Sequence, residues 1–392
     1  MTVLSSLTIY SNPKCLICEN DGNGVHFGVQ TCRACAMFFR RSLHQQTEFQ
    51  CKNHSKFCKI ENADSRLMCK FCRLKKCQTV GMSNDKKDSS KCQDVVMSDP
   101  QRVIYEVLHP VTQKPVKWID IGPIIRRSRE ILEEFHPPST FKLQSLNALQ
   151  KMAFSLAKFR NAQKMKTKIL DFMTFDDYFM HWEEWMTRAA EWLMHSVHFR
   201  LLPNHEKLQF FKIVWAVWRR FERNSMSAKV FGQKCLDEKL LLISDDTVTV
   251  FDKLTIDHSE IQGPRLHEWR SIMRHNLFQY FDLVVRPCLE WNFTEMEINF
   301  ALSQIVWNYA SRKLLGQTLQ AADSFLAEIS ENLHEYYQTE LKIKNYAPRL
   351  AVIMDMVNGV LKNQLEHEKT MEMAFLFDML SIVVSEPAFF IV

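Results

Sequence analysis

Eight cysteines near the start of the chain constrain the fold more than any other feature of the sequence. They form two sets of four, and each set ends in a Cys-x2-Cys pair: Cys15, Cys18, Cys32 and Cys35, then Cys51, Cys58, Cys69 and Cys72. Zinc in structural sites takes four soft ligands in a tetrahedron, and a Cys-x2-Cys pair supplies two of them. Because four thiolates leave no open coordination position, the spacing predicts two structural zinc ions and no catalytic metal.

Disulfides and redox-active cysteines are the other chemistries that such pairs could serve. The first residues, MTVLSSLTIYSNPK, have neither the basic segment nor the apolar run of a secretory signal. We therefore expect a reducing compartment, in which cysteine clusters bind metal more often than they form disulfides. Redox Cys-x2-Cys motifs are not normally paired twice over, so zinc is the prediction.

Positive charge is concentrated around these cysteines. Between Cys32 and Cys77, eleven lysines and arginines face three acidic residues, which gives that stretch a net charge of +8. The whole chain carries only +5, so the remainder is slightly acidic at −3. A compact basic module on a near-neutral chain indicates a polyanion partner for that module. No run of about 18 uncharged apolar residues exists, so we expect no membrane-spanning segment.

The residues after Cys32 indicate which polyanion this is. If Cys32 and Cys35 open a helix, Phe38 and Phe39 fall on its inner side, and its other faces carry Arg33, Ala34, Ala36, Met37, Arg40 and Arg41. A helix fits the major groove of DNA, where its first residues meet base edges and its basic residues meet phosphates. Cys69 and Cys72 begin a second helix with three more candidates for phosphate contacts: Arg73, Lys75 and Lys76. Any single lysine or arginine is as often a solvated surface residue as a DNA contact. The cluster as a whole favours double-stranded DNA as the partner.

The rest of the chain is organised differently. Composition and periodicity divide the whole chain into a tail (1–14), the zinc module (15–82), a polar aperiodic hinge (83–119) and a helical domain (120–392). In WEEWMTRAAEWLMHSV, apolar side chains from Trp182 to Val197 recur at helical spacing. Thr294 and Glu297 form a capping box in front of another helix, and LLLISDDTVTVF (240–251) predicts a hairpin. The fold class expected is a small α-rich zinc module followed by an all-α domain with a short β-hairpin.

Two stretches of the zinc module resemble a known family. GVHFGVQTCRACAMFFRRS and CKFCRLKKCQTVGM closely resemble the DNA-binding module of nuclear hormone receptors, and the Arg-Ala-Cys-Ala variant is most similar to the expanded nematode group related to hepatocyte nuclear factor receptors. The resemblance implies zinc ligation by the eight cysteines, base reading by the residues after Cys32, and phosphate contacts from four residues: His26, Phe27, Arg40 and Arg41. The family usually has an acidic residue and a lysine where this chain has Arg33 and Ala36, so the usual half-site is not implied. In the second set of cysteines, each of the first two gaps is one residue longer than is usual in the family. The loop KNHSKF (52–57), where the family makes its dimer contact on DNA, is the first of these gaps.

The helical domain resembles the same family more weakly. Residues 191–215, EWLMHSVHFRLLPNHEKLQFFKIVW, resemble the signature that joins helices 3, 4 and 5 of receptor ligand-binding domains. This implies a three-layer helical sandwich with a pocket for a small apolar ligand, controlled by the last helix. The position at which acid-binding receptors have a ligand-binding arginine falls on Met226, and Arg223, about one turn earlier, is the candidate to replace that arginine. The ligand-pocket residues expected from the resemblance are therefore Met226 and Arg223. The positions that clamp a coactivator helix fall on three residues of this chain: Met194, Lys212 and Glu386.

These features predict a nuclear, zinc-dependent, sequence-specific DNA-binding transcription factor with a receptor-type ligand domain. The expected partners are double-stranded DNA, a small apolar ligand, coregulator proteins and a second receptor chain in a homodimer or heterodimer. The alternative is a zinc-containing adaptor that docks corepressors or other proteins without reading DNA sequence. An enzyme is not expected, because the sequence has no Gly-rich phosphate loop, no open metal site and no nucleophile–base motif.

Overall fold

The chain divides into two compact units, Met1–Met97 and Ser98–Val392. In this computed structural model the described residues are 14–21, 25–27, 29–44, 49–51, 58, 68–80, 82, 104–108, 115–138, 144–257, 259, 263, 265–377, 379–380 and 382–390. The predicted tail before Lys14, the loop 52–57 and most of the predicted hinge 83–119 therefore lie outside the described residues. The domain limits themselves stay a prediction.

The first unit is small and is built around its cysteines. A short antiparallel pair, β1 (Val25–His26) and β2 (Val29–Gln30), precedes two helices, α1 (Arg33–His44) and α2 (Lys70–Thr79). The buried core of this unit consists mainly of cysteine side chains, joined by a few apolar ones: Ile17, Val29, Phe39, Met68 and Met82. A core this small needs an additional source of stability, and bound metal supplies one.

The second unit is dominated by helices. In chain order they are α3 (Gly122–Glu134), α4 (Ala148–Arg160), α5 (Phe175–Leu193), α6 (Val197–Arg200), α7 (Asn204–Phe231), α8 (Gln233–Asp237), α9 (Leu266–Phe278), a π-helical turn (Phe281–Val285), α10 (Arg286–Trp291), α11 (Glu295–Ser311), α12 (Gln317–Thr339), α13 (Ala347–Leu376) and α14 (Pro387–Phe390). The strands are β3 (Ile104–Leu108), β4 (Pro115–Ile119), β5 (Lys168–Ile169), β6 (Phe172–Met173), β7 (Leu240–Leu242), β8 (Thr247–Val250), β9 (Thr255–Ile256) and β10 (Ile382–Val384). No helix in the described ranges is both long and apolar enough to cross a membrane.

Helices α7 and α11 form the middle of the helical unit. Both are buried along most of their length, and α11 packs against α4, α7, α12 and α13. Helix α5 packs between α3 and α7, with Phe179, Trp182 and Met186 buried on its inner face. A helix covered on several sides belongs to the central layer of a helical sandwich, so the expected all-α architecture is confirmed.

Local signals in the sequence place several of these elements. Thr294 caps α11: its side chain accepts from the Glu297 backbone N–H, and the Glu297 carboxylate accepts from the Thr294 N–H at 2.8 Å. The predicted hairpin is confirmed, because β7 and β8 pair antiparallel, and β5 adds to β8 in parallel. The helix predicted from Trp182 to Val197 ends at Leu193 instead. Ser196 caps the separate helix α6 by accepting from the Phe199 N–H, and this leaves Val197 exposed.

A second hairpin lies inside the segment predicted as a hinge. Strands β3 and β4 pair antiparallel, and the C-terminal strand β10 joins β4 in parallel. Ile104 and Ile119, which pair with each other, are buried, whereas Tyr105 and Glu106 are exposed. After β10, the Ser385 backbone N–H donates to the Ile119 carbonyl at 2.9 Å. Pro387 then opens the short helix α14, because proline is well suited to the first position of a helix.

Candidate zinc centres, nucleic-acid interface and ligand domain

The structure gathers the eight predicted ligands into two clusters. Within each cluster the sulfur atoms all lie within 4.8 Å of one another: Cys15, Cys18, Cys32 and Cys35 in the first, Cys51, Cys58, Cys69 and Cys72 in the second. Four sulfurs at about 2.3 Å from one zinc ion are about 3.8 Å apart in a tetrahedron. The observed Sγ–Sγ separations match this value, at 3.6 Å for Cys18–Cys32 and 3.8 Å for Cys51–Cys72.

The donor set and its surroundings suit zinc. All four sulfurs of the first cluster are buried, and thiolates without a metal would place several negative charges in that interior. Backbone N–H groups already point at two of the sulfurs, because the Cys35 N–H donates to Cys32 Sγ and the Cys58 N–H donates to Cys72 Sγ, each at 3.4 Å. Such contacts orient metal ligands and stabilise thiolates. The eight cysteines fit two structural zinc ions, as predicted.

Cys77 lies in the same unit but outside both clusters. Its side chain is fully buried among the core residues, and burial raises the pKa of its thiol to about 12. The thiol therefore stays protonated at neutral pH and packs as a small apolar group.

Helix α1 begins directly after Cys32 and carries one continuous exposed face. Arg33, Ala34, Met37, Arg40 and Arg41 are all exposed, at positions that fall on one side of a helix. The opposite side packs inward through Phe39, as predicted. This exposed stripe begins at the zinc cluster and carries three arginines over about two and a half turns.

Three of the residues predicted to contact DNA differ in their surroundings from the expectation. Ala36 is buried, because it lies at the edge of the face that carries Cys35 and Phe39. Phe27 has a left-handed backbone (φ 54°) and packs edge-on against Phe39 at 5.2 Å, so its ring serves the core. His26 is half-buried, and its Nε2 is buried without a hydrogen-bond partner among the described residues.

Arg73 corrects the prediction most clearly. It was expected to contact a phosphate, but its side chain is buried between the two helices. Its guanidinium donates to Cys35 Sγ at 3.1 Å and stacks over the Phe38 ring at 4.7 Å. Burial raises the pKa of the Cys35 thiol, and the Arg73 charge opposes that rise. Arg73 therefore supports the first zinc cluster from α2, whereas Lys75 is exposed and Lys76 half-buried on the same helix.

Arg73→Met should weaken zinc binding at the first cluster. The methionine keeps an apolar side chain over Phe38 but removes the hydrogen bond to Cys35, and loss of such a supporting contact typically lowers metal affinity about 10- to 100-fold. Competition with a chelator, followed by the zinc content of the protein, measures this effect. Lys75→Met is the matched control on the exposed side of α2, and an equal loss of zinc from both variants would contradict the role given to Arg73.

The predicted ligand-pocket residues lie in the helical unit. Met226 is buried against Leu242 and Val248 of the hairpin. Arg223 is also buried, donates to the Glu222 carboxylate, and has its Nη1 3.8 Å from Asp245. Burial would raise the pKa of Glu222, but the Arg223 and Arg160 guanidinium groups hold it below its usual value. Carboxylates of the protein already neutralise Arg223, so its guanidinium is not available to an acidic ligand, contrary to the expectation from the sequence.

The three residues predicted to form a coactivator clamp are not equivalent. Met194 is buried at the end of α5. Lys212 on α7 donates to the Glu386 carboxylate at 3.2 Å, and Arg129 on α3 donates to the other oxygen at 2.9 Å. Two cations therefore hold Glu386 on the surface of the helical unit, and Phe389 packs fully buried beside Phe211.

Comparison with known proteins agrees with this architecture. Residues 13–84 match the family described as double treble clef zinc finger, C4 type, and residues 163–377 match the ligand-binding domain of nuclear hormone receptor. The chain is similar to "Nuclear hormone receptor family member nhr-54" of Caenorhabditis elegans, with 42% identity over 98% of each chain. It is also similar to nhr-213 (31% identity over 93% of this chain and 91% of the relative) and nhr-127 (32% over 89% and 96%) of the same organism.

Proposed function

The chain belongs to the nuclear hormone receptor family, and from this membership we propose which residues carry its DNA-binding and regulatory activities. Members of the family are transcription factors, and this protein is a zinc-dependent DNA-binding transcription factor with two structural zinc sites. The single observation that carries the assignment of residues is the exposed stripe of α1, which begins at the zinc cluster. We propose that the protein acts in the nucleus, where its DNA partner is.

The stripe divides into two parts with different roles. Arg33 and Ala34, in the first turn of α1, and Met37, one turn later, lie where a helix in the major groove meets base edges. Arg40 and Arg41 lie farther along the helix and contact phosphates, together with Lys75 and Lys76 of α2. Arginine makes bidentate hydrogen bonds to guanine, so Arg33 supplies direct base recognition in place of the buried Ala36. Arg73 is left out of this set, because its guanidinium is engaged by Cys35.

Arg33→Ala should change the preferred bases, whereas Arg41→Ala should weaken binding to all sequences alike. Loss of one bidentate base contact removes about 1–3 kcal/mol of discrimination at one position of the site. Loss of one phosphate contact reduces the slope of log K against log salt concentration by about 1 and leaves the base preference unchanged. Selection of bound sequences from a random DNA pool, followed by titration at several salt concentrations, measures both effects. If the two variants behave alike, Arg33 is a phosphate contact and our assignment is wrong.

We also propose ligand regulation and coregulator binding through the helical unit. Val197 opens α6 and Leu201 directly follows it, and the exposed apolar side chains of both offer a surface between α5 and α7 to an amphipathic partner helix. The salt bridges from Arg129 and Lys212 hold Glu386 and the C-terminal segment at the edge of α7. A ligand that binds the protein more tightly when this segment is in one position than when it is in another would shift the equilibrium between the two positions. It would thereby regulate the docking surface. Pairing with a second receptor chain on DNA, in a homodimer or a heterodimer, is part of the same proposal.

A further inference from the structure

Helix α3 covers part of the surface of α5 and α7 with one amphipathic face. It packs against α5 and, less extensively, against α7. Its buried side chains are spaced as on one side of a helix: Ile124, Ile125, Ser128, Ile131 and Leu132. The opposite side is exposed and charged, with Arg126, Arg127, Glu130, Glu133 and Glu134. Because α3 precedes residue 163, where the match to the ligand-binding domain begins, it covers this apolar surface from outside the matched domain.

Two side-chain contacts fix the position of α3 on this surface. Arg129 donates to one oxygen of the Glu386 carboxylate, and Lys212 of α7 donates to the other. Phe135, directly after α3, has its ring 5.6 Å from the ring of His195, which lies just beyond the end of α5. Glu386 and Lys212 are two of the three positions at which the sequence predicted a clamp for a partner helix, and the third ends α5. Helix α3 therefore lies between the residues from which that clamp was expected.

The attachment of α3 is imperfect at its centre. The Ser128 side chain is completely buried, and its hydroxyl has no hydrogen-bond partner among the described residues. A buried hydroxyl without a partner destabilises the packed state. The salt bridge of Arg129 and Glu386 adds little, because the two side chains are 41% and 32% exposed and water screens the pair. Apolar packing is thus the main attachment of α3.

Helix α3 also depends on this packing for its helical structure. It has 13 residues, and helices of this length are marginally stable in water on their own. A competing helix with the same apolar spacing, but with a small apolar residue in place of Ser128, would make the same contacts without burying an unsatisfied hydroxyl. A cation one position later in that helix would meet Glu386 as Arg129 does. The surface under α3 therefore fits an amphipathic partner helix better than it fits α3 itself.

We propose that α3 is an internal occupant of the coregulator-docking surface, and that a coregulator helix binds by displacing it. The inference rests on the proposed coregulator binding, and it names the surface, the partner's chemistry and the segment that limits access. The apparent affinity for the partner is reduced by the fraction of chains in which α3 has left the surface. The C-terminal segment is coupled to this release, because β4 immediately before α3 pairs with β10, and the Ile121 N–H donates to the Ser385 hydroxyl at 3.0 Å.

Hydrogen exchange in the full zinc-loaded chain tests the release of α3 without any partner. The amides of residues 122–134 should exchange at least about tenfold faster than those of α7, because α3 opens while the remaining helices stay folded. Ser128→Ala should slow exchange in α3 by about fivefold or more, since it removes the buried hydroxyl without a partner. Arg126→Ala, on the exposed side of α3, is the matched control and should exchange as the wild type does. Equal rates in α3 and α7 of the wild type would overturn the proposal.

A labelled peptide with the sequence of residues 119–136 tests the docking surface. In the full-length Ile131→Glu variant, a charge on the buried face detaches α3 and leaves the surface open. The peptide should bind this variant at least about tenfold more tightly than the wild type, in which α3 competes with it. A peptide that carries the same Ile131→Glu substitution is the control and should not bind. Equal binding of the unsubstituted peptide to both proteins, or unfolding of the whole helical unit in the variant, would refute the displacement of α3.

The two measurements separate failure of this inference from failure of the proposed coregulator binding. If α3 of the wild type exchanges as slowly as α7 while the Ile131→Glu variant binds the peptide, α3 is not displaced, and the docking surface still stands. If exchange in α3 instead slows as the protein concentration rises, α3 leaves its own chain to bind a second copy, and the proposal is wrong. Selection of an enriched DNA motif is independent of both results.

Discussion

Replacement of Cys35 by serine will unfold the first zinc site and abolish specific DNA binding. Cys35 is fully buried, shares its cluster with three other cysteines and receives a hydrogen bond from Arg73. Structural zinc contributes about 10–16 kcal/mol to the folding of small modules, and a hydroxyl does not replace a thiolate ligand. We expect one zinc ion per chain instead of two, and affinity for the selected DNA lowered at least about a thousandfold, to the level of non-specific binding.

Cys77→Ala is the control for this experiment. Cys77 is equally buried in the same unit, but it lies outside both clusters and its thiol is protonated at neutral pH. The variant should keep two zinc ions and bind DNA with an affinity close to that of the wild type. Zinc content by mass spectrometry and binding by fluorescence anisotropy distinguish the two substitutions. A Cys35→Ser protein with two zinc ions and wild-type DNA affinity would refute the assignment of the first site.

Replacement of Arg349 by methionine will cause a large loss of stability in the helical unit. Glu297 is completely buried, and its carboxylate accepts two hydrogen bonds from Arg349, at 2.8 Å each, and one from the Tyr337 hydroxyl at 2.7 Å. Without Arg349 this carboxylate is a buried charge with no counter-charge. The free energy of unfolding should fall by about 3–5 kcal/mol. The unfolding temperature should then fall by roughly 10 °C.

Arg286→Met is the matched control for Arg349→Met. Arg286 on α10 also pairs with a carboxylate, that of Asp282, but both side chains are about half exposed. Ion pairs of this kind contribute about 0–1 kcal/mol because water screens them. Thermal and urea unfolding of both variants measures the contrast. Equal destabilisation by the two substitutions would mean that the burial of Glu297 is not what makes Arg349 important.

The ion pair of Glu297 and Arg349 makes the stability of the helical unit depend on pH, and the pKa of Glu297 gives the sign of this dependence. Burial alone would raise the pKa of Glu297, but Arg349, the Thr294 N–H and the Tyr337 hydroxyl hold it below its usual value. The pair therefore stabilises the wild type at pH values above the pKa of an unfolded glutamate, and this contribution is lost as the pH falls through the folded pKa. In the Arg349→Met variant the guanidinium no longer opposes the effect of burial, so the pKa of Glu297 rises. The difference in stability between the two proteins should thus be largest at neutral pH and shrink in acid.

Features that depend on neighbouring residues in the chain could be predicted from the sequence. The zinc ligands follow from cysteine spacing and the inward position of Phe39 from helical periodicity, and the capping box at Thr294 needs only residues three positions apart. The hairpin at 240–251 is also local, since its turn at Asp245–Asp246 separates two short apolar runs. In each case the residues that specify the feature lie in one continuous stretch of the chain, so contacts with distant segments do not change the outcome.

Features that depend on distant contacts could not be predicted. Arg73 looks like a surface cation in the sequence, and only the approach of α2 to α1 buries it beside Cys35. The strand β10 pairs with β4 across more than 260 residues, and no local pattern specifies a parallel partner at that distance. Arg219 and Arg223 lie one turn apart on the same helix, and periodicity cannot tell which one has a carboxylate partner.

The measurement that tests the central claim most directly is the salt dependence of binding to a selected DNA sequence. The zinc-loaded full chain is titrated with that sequence and with a scrambled one between about 50 and 200 mM salt, with and without a chelator. Four phosphate-contacting residues (Arg40, Arg41, Lys75 and Lys76) predict a slope of log K against log salt concentration of about −3 to −4. They also predict a preference for the selected sequence that the chelator removes. Binding that is flat with salt, equal for the two sequences or insensitive to the chelator would contradict a zinc-dependent, sequence-specific DNA-binding protein.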